Sequence, residues 1–154
     1  MLCSRYTAKK TQRALPCSFG LAAVFLIRAM KYTKTIAVVG VVDDDESIRQ
    51  SISSLLRSAG YRTILFASAE EFLNYDRKDE TEFLVLDVRM PGLSGLELQR
   101  RLCELGRSIP ILFVTGHVDD EVRTRALKQG AVGYLSKPFN GEDLLGAIQS
   151  ALRQ

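Results

Sequence analysis

The feature that most constrains this chain is a fivefold alternation. From Ile36 onward, short runs of β-branched and aliphatic residues take turns with segments whose apolar residues recur at helical spacing. The first run, residues 36–42, stops at Asp43, Asp44 and Asp45. Ile48, Ile52, Leu55, Leu56 and Ala59 then fall on one helical face, and Gly60 stands where a helix end favours glycine. Residues 62–66 form the second run. Ser68 and Glu71 have the spacing of a capping box for a short helix through Phe72 and Leu73. The third run, residues 83–86, ends at Asp87. A loop with Pro91, Gly92 and Gly95 leads to a helix carried by Leu98, Leu102 and Leu105. The fourth, residues 109–114, ends at Thr115 and is followed by Val122, Ala126, Leu127 and Gly130. The fifth, residues 133–135, ends near Lys137. Leu144, Leu145, Ile148, Ala151 and Leu152 make the last helical stripe.

Strands that are apolar without alternation belong in a parallel sheet covered on both faces. Right-handed crossovers between them give an α/β fold with a doubly wound, five-stranded parallel sheet. Such sheets bind ligands outside the carboxyl ends of their strands. The polar residues that end the apolar runs fall at those ends: Asp43 and Asp44, Asp87, Thr115 and Lys137.

Carboxylates gathered in one cleft repel each other and raise one another's pKa unless cations intervene. Lys137 supplies one cation. An all-oxygen donor set suits magnesium, which keeps much of its own water. A carboxylate, a hydroxyl, an ammonium and a metal suit phosphoryl transfer, where positioning and charge neutralisation carry most of the chemistry. A carboxylate can itself be the nucleophile, giving an acyl phosphate. Each feature has a plain reading when taken alone. The acid triplet is a solvated helix start, Asp87 a loop acid, Thr115 a strand-end hydroxyl and Lys137-Pro138 a surface turn. Their joint placement at strand ends favours the site. The triplet offers two acidic pairs; the preceding strand favours Asp43 with Asp44, leaving Asp45 to the helix start, where acids complement the helix dipole.

The stretches VVDDDESIRQ, LVLDVRMPGLSG, ILFVTG and GYLSKPF, in that order, resemble the receiver domains of response regulators of the CheY type. The resemblance runs over residues 36–152, and VTGH and KPF with MPGLSG are most similar to the FixJ-type subgroup. It implies a strand order of 2-1-3-4-5 with helices on both faces. It implies Asp87 as phosphoacceptor, with Asp43 and Asp44 as the acidic pair holding Mg2+, the second directly and the first through water. The backbone carbonyl of Arg89 matches the third protein ligand. Thr115 matches the hydroxyl that bonds the phosphoryl group, and Lys137 the family's lysine. Pro138 matches the proline that follows a cis bond, and Tyr134 the aromatic switch position, although plain half-buried packing accounts for a tyrosine there equally well. His117, the only histidine, and Arg89 lie where the family tunes dephosphorylation; an exposed loop histidine is the plainer reading of His117.

The implied function is to accept a phosphoryl group from a sensor histidine kinase or phosphotransfer protein and switch a face that contacts a downstream protein target. The chain is then a phosphoacceptor rather than an enzyme, apart from self-catalysed phosphoryl transfer and autodephosphorylation. A stand-alone receiver in the cytoplasm, with a phosphorylation-dependent dimer, is the expectation. A phosphorylation-independent docking module and a fragment of a DNA-binding transcriptional regulator are the alternatives. A magnesium phosphatase with an aspartyl-phosphate intermediate would carry an Asp two residues past the nucleophile, where Arg89 stands. No Walker or GxGxxG motif is present.

Charge divides the chain into residues 1–35 and 36–154. The first part holds Arg5, Lys9, Lys10, Arg13, Arg28, Lys31 and Lys34 and no acid. The second holds fourteen basic against eighteen acidic residues, so the net charge of +3 misrepresents it. An acidic domain is a poor partner for nucleic acid, whose binding rests on phosphate neutralisation. Residues 19–27 form an apolar run too short to span a bilayer. Three readings stay open for this leader: a disordered or misassigned start with Met30 as the true one, a membrane-surface or partner-binding helix, and an export signal. Cys3, Cys17 and Cys103 have neither metal-ligand nor disulfide-framework spacing.

Overall fold

Each apolar run becomes a strand, and each helical stripe the crossover that returns the chain to the start of the next. The computed structural model describes residues 36–153, so the readings for residues 1–35 lie outside the described residues. In chain order the elements are β1 (Val38–Val42), α1 (Glu46–Ser58), β2 (Arg62–Phe66), α2 (Ala69–Asn74), a 3-10 turn (Lys78–Glu80), β3 (Phe83–Asp87), α3 (Gly95–Glu104), β4 (Ile111–Thr115), α4 (Asp120–Lys128), β5 (Gly133–Ser136) and α5 (Gly141–Leu152). All strand pairs are parallel and the order is β2-β1-β3-β4-β5.

Alternate strand residues point to opposite faces, and the two cores divide accordingly. Val42, Phe66, Leu84, Leu86 and Phe113 pack with Phe72, Leu98, Leu102 and Ala126, from α2, α3 and α4. Val39, Val41, Phe83, Val85, Leu112 and Val114 pack with Ile52 and Leu56 from α1 and Leu144 and Ile148 from α5. Helices therefore lie on both faces. The expected burial holds throughout β1, β3 and β4, while β2 and β5, the sheet edges, are only partly covered.

Polar side chains set the helix starts. The Asp45 carboxylate accepts from the N–H groups of Ser47 and Ile48, so it is the N-cap of α1. Ser94 and Glu97 form a complete capping box at α3. The box expected at α2 forms by half. Ser68 accepts from the Glu71 N–H, but the Glu71 carboxylate accepts from Ala67 N rather than from Ser68 N. Strand β4 begins at Ile111 rather than at residue 109, because Pro110 has no N–H to add to the ladder.

Register delivers the polar residues to one edge. Val42 is level with Leu86, Asp87 with Val114, and Thr115 with Ser136. Asp43, Asp87, Thr115 and Lys137 therefore emerge together at the carboxyl ends of four strands. The apolar layers hold this arrangement, and α1 is fastened by the fully buried Leu56. Leu56→Ala is expected to lower the unfolding free energy by about 3 kcal/mol in urea denaturation. A loss under roughly 1 kcal/mol would mean that α1 does not depend on this contact.

Candidate functional site

The site is built where β1, β3 and β5 end. Asp43 is 1% exposed and Asp87 7% exposed, burial that a carboxylate tolerates only when paired. The pairing cation is the Lys137 ammonium, whose Nζ lies 2.5 Å from Asp43 Oδ2 and 3.1 Å from Asp87 Oδ2. The other oxygen of each carboxylate also has a partner. Asp43 Oδ1 accepts from Asp45 N at 2.9 Å, and Asp87 Oδ1 from Arg89 N at 3.3 Å. Lys137 is itself placed by its own N–H, which donates to the Thr115 carbonyl at 2.7 Å. The Lys137–Pro138 bond is cis.

Carboxylate oxygens of Asp43, Asp44 and Asp87 all lie within 4.8 Å of one another. Asp44 is exposed where Asp43 is buried, so the cluster opens to solvent on the Asp44 side. A hard-oxygen donor set open on one side fits a cation such as magnesium, which retains water ligands. Asp45 is engaged at its helix cap, and Asp43 with Asp44 forms the pair in the cluster.

The electrostatics follow from this packing. Burial pushes the Asp87 carboxyl above its ordinary value; Lys137 opposes the shift, and the neighbouring Asp43 charge adds to it. Burial works against the Lys137 ammonium. The hydrogen bond to Asp43 and the charges of Asp87 and Asp43 outweigh it and hold the lysine above its ordinary value.

Thr115 and Tyr134 stand beside this cluster. Thr115 is buried, and its hydroxyl donates to the His117 carbonyl and accepts from the His117 N–H, both at 3.2 Å. It is therefore engaged in a local turn. The Tyr134 ring packs 6.4 Å from that of Phe113. Its hydroxyl oxygen is buried with no hydrogen-bond partner among the described residues. Burial and the Asp119 charge push its phenol up. His117 and Arg89 are exposed loop residues.

Two contributors have roles that the sequence does not reveal. The Arg49 guanidinium donates to the Asp43 backbone carbonyl at 2.6 Å, fixing the chain where β1 turns into α1. At Gly95 a Cβ would lie 2.2 Å from the Asp87 carbonyl oxygen, so only glycine lets α3 start this close to the acceptor strand. Gly95 is visible in the sequence as a loop glycine, but the reason for it is tertiary.

The response regulator receiver domain family matches residues 39–149. The chain belongs to this family. It is 49% identical over 117 residues to the response regulator protein TmoT of Ectopseudomonas mendocina, a match covering 76% of this chain and 53% of that one. It is 50% identical over 117 residues to nodulation protein W of Bradyrhizobium diazoefficiens, covering 76% and 52%. The crystal structure of FixJ-N superposes with a TM-score of 0.71 at 37% identity, covering 77% of this chain and 94% of that one. The FixJ-type likeness and the receiver fold stand on these matches. The chain spans about half the length of the curated relatives it matches. Among the described residues no helix of the receiver is long and apolar enough to cross a membrane.

The raised Asp87 pKa has a consequence for stability. The folded receiver holds this proton more tightly than the unfolded chain, so ionising Asp87 costs folding free energy. The relative benefit is complete below pH ~4, the ordinary carboxyl value, and is lost as pH rises through the raised one. Without divalent cations, Asp87→Asn is therefore expected to raise the melting temperature at pH 7.5 by about 2–4 °C. The gain should shrink as pH falls from 7.5 toward the ordinary carboxyl value of ~4. Thermal melts in a chelator at both pH values measure it, and an unchanged or lower Tm at pH 7.5 would contradict this account.

Proposed function

We propose that this receiver accepts a phosphoryl group on Asp87 from a phosphohistidine of a sensor histidine kinase or phosphotransfer protein. The observation that carries the reading is the Lys137 ammonium bridging Asp43 and Asp87 beside the three clustered carboxylates. An Asp87 oxygen attacks phosphorus in line, the phosphorus–nitrogen bond breaks, and the partner's imidazole departs with the electron pair. Lys137 balances the negative charge that the phosphoryl group brings. Asp43, Asp44, Asp87 and the Arg89 carbonyl are the groups that would hold magnesium, which when bound neutralises phosphoryl oxygens.

Switching then rests on Thr115 and Tyr134. The Thr115 hydroxyl exchanges its bond to the His117 carbonyl for one to a phosphoryl oxygen. A population shift from 1:99 to 99:1 needs about 5.5 kcal/mol of differential binding. A charge-assisted hydrogen bond contributes roughly 1.5–3 kcal/mol, less what is lost by leaving His117. Thr115 alone is insufficient, so the Lys137 contact and Tyr134 must share the work. The face formed by α4, β5 and α5 is the one these residues adjoin, and we assign it to a downstream protein contact and to a phosphorylation-dependent dimer. We place this chemistry in the cytoplasm, where ATP is available to the donor kinase.

The test is intact mass and phosphate-affinity gel mobility after incubation with acetyl phosphate and magnesium chloride, wild type beside Asp87→Asn. A hydroxylamine-labile adduct is expected in wild type alone. An adduct in both proteins would move the acceptor elsewhere. Absence from both, including with phosphorylated histidine kinase as donor, would favour a phosphorylation-independent docking module. Thr115→Val should still be phosphorylated, at a rate within roughly threefold of wild type, but lose phosphorylation-dependent amide shifts in α4 and β5. Retention of those shifts would remove Thr115 from the switch.

A further inference from the structure

The loop from Val88 to Ser94 joins the acceptor strand to α3 and carries Arg89. Within itself it has one backbone bond across its ends, Gly95 N to Val88 O at 3.0 Å. Val88, Met90 and Leu93 anchor it in the core. A further tie comes from outside. Glu70 Oε1, in the first turn of α2, accepts from Leu93 N at 2.8 Å across 23 residues of sequence. Glu71 beside it turns back to Ala67 N, so the two adjacent carboxylates have different tasks. Gly92 is fitted to the tie as well. Its φ is +76°, and a Cβ there would lie 2.7 Å from Glu70 Oε1.

The carboxylate is held in its accepting form. Hydrogen bonds from its own backbone N–H and from Leu93 N–H keep its pKa below the ordinary value against an opposing effect of burial, with Ser68 and the Arg101 charge adding to the lowering. Glu70 does not belong to the Asp43, Asp44 and Asp87 cluster. Asp87 of the preceding strand accepts from Arg89 N and Glu97 of the following helix from Ser94 N; the Glu70 bond to Leu93 is the tie from an element distant in sequence, and the loop's position relative to Asp87 decides where the Arg89 carbonyl stands.

We propose that Glu70 is a positioning residue for the metal centre: by accepting from Leu93 N–H it sets the β3–α3 loop, and with it the Arg89 carbonyl, against Asp87. The inference rests on the reading of Asp43, Asp44, Asp87 and Arg89 as the metal-holding groups. Groups that orient metal ligands without touching the ion change affinity by roughly 10–100-fold when removed. The lower end applies here, because buried Val88, Met90 and Leu93 hold the loop independently.

The experiment is a magnesium chloride titration of the full chain followed by amide shifts of residues 87–90, for wild type, Glu70→Ala and Glu70→Gln. Hydrogen exchange of the Leu93 amide is measured in parallel. Glu70→Ala should weaken magnesium binding about tenfold and speed exchange at Leu93. Glu70→Gln, whose amide oxygen still accepts, should stay within about threefold of wild type. Faster Leu93 exchange in Glu70→Ala with unchanged magnesium affinity would overturn the proposal while leaving Asp87 phosphorylation untouched. So would equal weakening by both variants, which would assign the effect to lost charge rather than to a lost tie. Affinities that separate as expected in a chain that takes no phosphoryl group would sustain the positioning role and refute phosphoacceptance. No magnesium binding by wild type would refute both.

Discussion

The ammonium of Lys137 between Asp43 and Asp87 is the interaction on which the rest depends. Burying a lone carboxylate costs several kcal/mol even after relaxation, and here two are buried side by side. One cation within 3.1 Å of both makes the arrangement sustainable. The three partners come from the ends of β1, β3 and β5, so the contact forms only when the parallel register is complete. The sheet, in turn, tolerates acids next to its core because the lysine is there. Fold and site are two descriptions of one constraint. The constraint is incomplete in charge: two buried carboxylates and an exposed Asp44 stand near a single ammonium, and burial, with the Asp43 charge behind it, keeps the Asp87 carboxyl above its ordinary value against Lys137. Such a cluster of oxygen donors fits a hard cation.

Much of this was legible in the sequence, for identifiable reasons. The strands were readable because runs such as residues 83–86 are apolar without alternation, which only a doubly covered sheet demands. The site was readable because Asp43, Asp87, Thr115 and Lys137 each interrupt an apolar run at its carboxyl end. What was not legible depends on distances between segments far apart in the chain. Arg49 shows no pattern that points to the Asp43 carbonyl. Gly95 reads as a loop glycine, and only the 2.2 Å approach of a would-be Cβ to Asp87 explains it. Glu71 has capping-box spacing, yet Ala67 N is its partner, one residue earlier than the pattern expects. The order 2-1-3-4-5 places β2 and β5 at the edges, and the even apolar runs there did not show that an edge position leaves them partly exposed.

The loop after β3 shows how a connection becomes part of a site. Val88, Met90 and Leu93 are buried while Arg89, Pro91 and Gly92 are exposed, an alternation that pins the backbone at every second or third residue. Such a loop pays its ordering entropy in the folded state rather than when a ligand arrives. The Glu97 and Ser94 box at its end fixes the first turn of α3, and Gly95 lets that turn rest on the Asp87 carbonyl. Asp87 is thus held through its backbone from one side and its carboxylate from the other.

The two residues proposed for the switch contrast with this rigidity. Thr115 is fully buried yet its hydroxyl closes only a turn within its own loop, through two 3.2 Å contacts to His117. Tyr134 lies on an edge strand with a buried hydroxyl that has no partner among the described residues. Neither residue is held as Asp87 is held. Under the proposed phosphorylation of Asp87, the phosphoryl oxygens would offer strong acceptors to the weakly committed Thr115 hydroxyl, and withdrawing that hydroxyl would alter what lies beside the Tyr134 phenol. The energy available from each change is a few kcal/mol at most, so neither moves the population alone. A two-state element would need both to favour the same state; Thr115 ends β4, and Tyr134 stands on the adjacent β5 level with Phe113, two residues before Thr115, so the proposed coupling would run between neighbouring strands rather than over long range.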